Sequence, residues 1–247
     1  PNTAVFVTIA PASWLLMTAA IATAAFISGR NSFRGKLPRL YQLKDLLTDP
    51  SNPDAYFQDF ENGLAQSASK LKAFVKLEGW LAALDDEAWK DLKKRAATHL
   101  VTQTRNSGRG WQALFDVFSE ARAFGYLAST GCTDVHFIRR TAGKTPDLGA
   151  LRNSGQVICE VKTINISQDE AQRRQRSAQG EFIASSTSVH VGKGLLRKLC
   201  STLEHAVEQL DGLDAERKAL RLVFVVVRFD DWVGDYQSEY FAQIDEH

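Results

Sequence analysis

Cysteine is scarce in this chain: Cys132, Cys159 and Cys200 are all it has, far apart, odd in number and none in a C-x-x-C pair. That excludes a disulfide framework or a cysteine-based zinc site and fits a reducing compartment. Cys159 lies inside an apolar run, where a cysteine acts as a small core hydrophobe. Charge of one sign is lacking too. Thirty Lys and Arg against 29 Asp and Glu leave a net charge of +1. No global field therefore advertises a nucleic-acid partner, and phosphate binding would have to come from local basic clusters. Internal repeats and low-complexity segments are absent as well, which excludes a solenoid. What remains is ordinary globular usage, 44% hydrophobic and 24% charged, so disorder does not dominate. Its 247 residues suffice for one large domain, or for a domain of about 130 residues with a helical appendage.

Residues Ala4 to Ser28 carry no charge, and the first charged residue is Arg30. The stretch is long enough to cross a bilayer. No basic region precedes it, as a secretory signal would need, and Pro11 and many Ala and Thr interrupt it. Two readings stand side by side for residues 1–29: a membrane anchor through residues 4–28, or a buried helix from Pro11 to Ser28 with proline in its first turn. In the first reading Arg30, Arg34, Lys36 and Arg39 keep the rest of the chain in the cytoplasm by the positive-inside rule. Both readings expect a cytoplasmic protein.

Residues 30–110 read as a helical region, with the turn-rich Asp49-Pro50-Ser51-Asn52-Pro53-Asp54 as a boundary within it. From Tyr56 to Gln103 two or three amphipathic helices are expected: Leu71, Phe74, Val75, Leu77 and Leu81 recur at helical spacing, as do Trp89, Leu92, Ala96 and Leu100. Lys90, Lys93, Lys94 and Arg95 read as a solvated face. After residue 110 the pattern changes. A helix is expected from Trp111 to Ser129, with Leu114, Val117, Phe118, Ala121, Phe124 and Leu127 on its apolar side. Three strands follow, Asp134 to Arg139, Asp147 to Arg152 and Gln156 to Ile164, the last two joined as a hairpin by Asn153-Ser154-Gly155. Beyond an Arg-rich polar loop, Leu196, Leu199, Leu203, Val207 and Leu210 mark another helix, and Leu222 to Val227 is a strand buried on both faces.

In the Gln156–Ile164 strand, alternation puts Ile158, Glu160, Lys162 and Ile164 on one face. A carboxylate and an ammonium in so apolar a strand each need a partner, because isolated buried charge is costly. Asp147 follows Pro146 at the start of the preceding strand, and hairpin pairing brings it to the same end of the sheet. Two hard carboxylates close together suit Mg²⁺ or Mn²⁺. Lys162 beside them could orient a water or neutralise charge on a phosphate. Glu120, between Val117 and Phe124 on its helix, sits at the margin of the buried face, and no basic residue stands three or four positions away from it.

These residues carry a resemblance. S-E-A-R-A-F-G-Y-L in the helix, T-P-D-L at Thr145 to Leu148 and I-C-E-V-K-T-I at Ile158 to Ile164 resemble the PD-(D/E)XK nuclease superfamily, over about half the chain, Trp111 to Phe229. The resemblance implies an α/β fold with a restriction-endonuclease-like αβββαβ core, a mixed sheet flanked by helices, in residues 111–247. It implies Asp147, Glu160 and the carbonyl of Val161 as ligands of Mg²⁺ or Mn²⁺, Lys162 as the catalytic lysine and Glu120 as the helix carboxylate. One subgroup carries Q-x-x-x-Y in the following helix, but Gln209 is followed four positions later by Leu213, and Lys198, His205 and Gln209 read as solvated. The expected activity is metal-dependent hydrolysis of nucleic acid, DNA ahead of RNA, with a homodimer left open. Arg173, Arg174 and Arg176, in the loop after the E-x-K strand, are candidate phosphate contacts. The alternatives are an inactive nucleic-acid-binding module of the same fold, and a membrane-anchored interaction protein.

Overall fold

The computed structural model describes residues 3–10, 33–47, 55–102, 111–139, 145–164, 194–228 and 244. They fall into two compact units: residues 1–13 with 131–247, and residues 14–130.

The first unit is a mixed five-stranded sheet with a helix. Its strands are β1 (Thr3–Ala10), β2 (Thr133–Phe137), β3 (Leu148–Arg152), β4 (Gly155–Ile164) and β5 (Leu220–Arg228), in the order β1-β5-β4-β3-β2. β2, β3 and β4 form an antiparallel meander, whereas β4, β5 and β1 run parallel. The β3–β4 hairpin closes on Asn153 and Ser154, both with positive φ, 49° and 63°, as a type I′ turn requires. A parallel neighbour such as β5 needs a crossover, which here contains the long helix Gly194–Leu213. Leu199, Ala206 and Leu210 of that helix, spaced seven and four apart, pack on Ile158, Ile164, Val223, Val225 and Val227 of the sheet. Residues Leu222 to Val227 are buried in unbroken succession, so both faces of β5 are covered, as its continuous apolar run predicts.

The N-terminal stretch differs from expectation. Residues 3–10, expected as the start of an anchor through residues 4–28, instead pair in parallel with β5 from Thr3↔Arg221 to Ala10↔Arg228 and add a fifth strand. Val5, Phe6, Val7, Thr8 and Ile9 are β-branched or aromatic, which suits a pleated ladder. The helix expected from Pro11 to Ser28 lies outside the described residues. Among the described residues, no helix is long and apolar enough to cross a membrane.

The second unit is helical: α1 (Pro38–Lys44), α2 (Phe60–Gln66), α3 (Ala68–Ala82), α4 (Asp86–Thr102) and α5 (Gln112–Ser129), so the crossover helix of the sheet unit is α6. α5 packs on α3 and α4, which places it in this unit rather than with the strands that follow it. Its six expected apolar residues, Leu114 to Leu127, are all buried. Buried Glu78 of α3 accepts the backbone N–H groups of Arg39 and Leu40 at 2.9 Å each, satisfying two donors that the first turn of α1 leaves open. Lys90 and Lys94 are exposed, as a solvated face predicts, whereas Lys93 lies 5.8 Å from the Trp89 ring and Arg95 turns inward.

Candidate active site

The register of the β3–β4 hairpin builds the site. Leu148 pairs with Cys159, so one step further along the ladder Asp147 stands opposite Glu160. On its other side the Asp147 carbonyl accepts the Ile138 N–H at 2.9 Å, which continues the β2–β3 ladder and fixes the backbone of Asp147. Oδ2 of Asp147 then accepts the N–H of Val161 at 2.9 Å. Directly opposed residues share a face, and Lys162 lies two residues beyond Glu160. Asp147, Glu160 and Lys162 thus meet at one end of the hairpin, as the alternation predicts.

Glu160 is only 1% exposed. Its Oε1 takes an ion pair from Lys162 Nζ at 2.7 Å, while its Oε2 is buried with no hydrogen-bond partner among the described residues. Burial, and then the charge of Asp147, push the Glu160 carboxyl up to about 8, against the opposing pull of Lys162. Between two ionised carboxylates there is no donor; a single proton or a cation between them would supply what the buried oxygen lacks. Lys162 is half-buried and also donates to Oε1 of Gln209 on α6, so its ammonium is held from two sides. On the opposite face of β4 the Cys159 thiol is buried and pushed far above its ordinary range, by burial first and then by Asp147 and Glu160, so it is inert at neutral pH.

Gln209 is the site residue that reading polar positions of α6 as solvated leaves out. The signal available was its place three residues after Ala206 and beside Leu210, at the margin of the face that packs on the sheet. Lys198 and His205 are exposed, in line with that reading.

The residues present fit a divalent ion of modest protein ligation. Among the described residues no group of three or more His, Cys, Asp or Glu side chains is arranged to hold a metal. Mg²⁺, however, is ordinarily held by one or two carboxylates together with water and substrate phosphate, not by an all-protein cage. Two opposed carboxylates, one with a buried oxygen that finds no donor among the described residues, meet that requirement.

Glu120 belongs to the helical unit, on α5, and is buried. Its carboxylate pairs with Arg95 of α4, which also holds Asp91 at 2.9 Å. Its partner therefore comes from another helix, beyond the reach of the three- and four-residue spacings along its own. Val161 enters the site through its N–H. Arg173, Arg174 and Arg176 lie outside the described residues, and Arg139, near the far edge of the sheet, is exposed. Compared with known proteins, the chain matches no family model, no curated protein and no solved structure.

Proposed function

We propose that this protein is a divalent-metal-dependent phosphodiester hydrolase of the PD-(D/E)XK type, acting on nucleic acid, DNA before RNA. One observation carries the reading: Asp147 and Glu160 oppose each other across a hairpin, with Lys162 paired to Glu160 and a buried carboxylate oxygen that finds no donor among the described residues. The element order α5-β2-β3-β4-α6-β5, with three antiparallel strands followed by a parallel fourth, supports a restriction-endonuclease-like core.

In this reading Asp147 and Glu160 would hold Mg²⁺ or Mn²⁺, with the Val161 carbonyl as the further ligand implied by the motif. When bound, such an ion would supply charge neutralisation and Lewis acidity toward a phosphate oxygen. Lys162, held between Glu160 and Gln209, points a fixed ammonium at the charge that develops on the phosphate. Such a group needs little reorganisation as the reaction proceeds. Val161 N–H keeps Asp147 turned toward Glu160 rather than toward solvent. Arg173, Arg174 and Arg176 would track the backbone of the substrate.

A second reading, a nucleic-acid-binding module without catalysis, draws on the same ion pair: Lys162 and Glu160 already neutralise one another. Incubation of the purified protein with plasmid, linear and single-stranded DNA and with RNA, each with Mg²⁺, Mn²⁺ or EDTA, separates the two. Metal-dependent products support the hydrolase; retarded but intact nucleic acid supports the binding module.

A further inference from the structure

His136 of β2 occupies the same face as the carboxylate pair. It pairs with Gly149, which lies two residues beyond Asp147 on β3 and so points its missing side chain the same way. The imidazole fills that space. A Cβ added at Gly149 would stand 2.7 Å from His136 Nε2 and 2.9 Å from Cε1, closer than real contacts allow. The ring is therefore laid down on bare backbone, along the strand from Asp147 by a step of about 6.7 Å.

The other ring nitrogen is anchored. Nδ1 lies 2.8 Å from the carbonyl oxygen of Asp134, and because a carbonyl only accepts, Nδ1 must carry the hydrogen. The Asp134 carboxylate stands 4.0 Å away from the same nitrogen. Asp134 adopts a positive φ of 50°, beside an irregularity in the β2–β3 register between Thr133 and His136, and this geometry turns its carbonyl toward the ring. Nε2 meets no partner among the described residues, and the side chain is 55% exposed. α6 packs on β4 and β5 of this face.

We infer that His136 is a substrate contact: in its protonated form it donates Nε2–H to a phosphodiester oxygen next to the group held at Asp147 and Glu160. The inference rests on the hydrolase reading above. An imidazole already oriented by Asp134 and Gly149 loses little freedom on binding, so the contact is gained at low entropic cost. A free surface histidine would need neither the anchoring carbonyl nor the glycine beneath it.

The test is binding without turnover, using fluorescein-labelled single-stranded and duplex oligonucleotides with Ca²⁺ in place of Mg²⁺, while the ring signals of His136 are followed by NMR. The expected results are a shift of the His136 Cε1–H signal on addition of oligonucleotide and an affinity about three- to tenfold weaker for His136→Ala. The slope of log affinity against log salt should fall by about one, as for the loss of one phosphate contact. Gly149→Ala, which displaces the ring without removing it, should reproduce the loss, while His136→Arg restores affinity. If the wild type binds oligonucleotide but its His136 signal stays still and His136→Ala binds equally well, the inference fails and the hydrolase reading stands. If the wild type binds no oligonucleotide, both fail.

Discussion

Replacing Glu160 by Gln should stabilise the metal-free protein at alkaline pH and leave it unchanged in acid. The Glu160 carboxyl ionises near 8 in the folded chain against an ordinary value of 4.5, because burial and Asp147 disfavour its charge. Between those two values the folded state binds the proton more tightly than the unfolded chain does. Stability is therefore greatest below about 4.5 and falls as pH rises toward about 8, at roughly 1.4 kcal/mol per unit. The full window corresponds to a penalty on the order of 3 to 5 kcal/mol. The glutamine side chain carries no charge, and its amide would supply the donor that the buried Oε2 position lacks among the described residues. Urea unfolding of both proteins from pH 5 to pH 9 in EDTA measures the effect. The curves should meet near pH 5 and separate by a few kcal/mol near pH 9, the variant being the more stable. Adding Mg²⁺ at pH 8.5 should raise the stability of the wild type only. Parallel curves would refute the claim that Glu160 is held at a charge-disfavouring site beside Asp147.

Other outcomes follow from the same contacts. Lys162→Ala should lose at least about a hundredfold in cleavage rate while oligonucleotide affinity changes by less than about tenfold, since in the proposed reaction its ammonium would act on charge developed in the transition state; gel-based kinetics and anisotropy check the split. Gln209→Leu should lower the rate about tenfold with KM nearly unchanged, because Gln209 holds Lys162 and need not touch the substrate; an altered KM with normal rate would contradict this. Ser154→Gly should stabilise the hairpin by about 0.5 to 1 kcal/mol, as φ of 63° favours glycine, and a thermal melt reads it.

The elements that were legible from sequence are those in which one local pattern decides. α5 and α6 announce themselves by apolar spacing, the hairpin by Asn153 and Ser154, and β4 by alternation that puts Glu160 and Lys162 on one face. The trio was legible because hairpin register is local: once the turn is known, the position opposite Glu160 follows by counting. β1 was not legible. Pro11 marks a break directly after Ala10 in the uncharged run from Ala4 to Ser28, but the short apolar segment before it has no pattern of its own that assigns it to a strand until a partner strand is known. Contacts made between distant elements were also hidden. Arg95 reaches Glu120 across 25 residues, and Gln209 reaches Lys162 across 47, so neither spacing nor helix periodicity along one element exposes them. The grouping of α5 with α3 and α4 is of the same kind, set by which apolar face meets which.

The central claim is that Asp147, Glu160 and Lys162 hydrolyse phosphodiesters with a divalent ion. Its most direct test is the cleavage of supercoiled plasmid and single-stranded DNA by the wild type beside Asp147→Ala, both shown folded by circular dichroism, across a titration of Mg²⁺ and of Mn²⁺. The account predicts cleavage by the wild type that rises with metal and stops with EDTA, and none by Asp147→Ala at any metal concentration. Equal cleavage by the two proteins, or wild-type cleavage that EDTA leaves untouched, would contradict it.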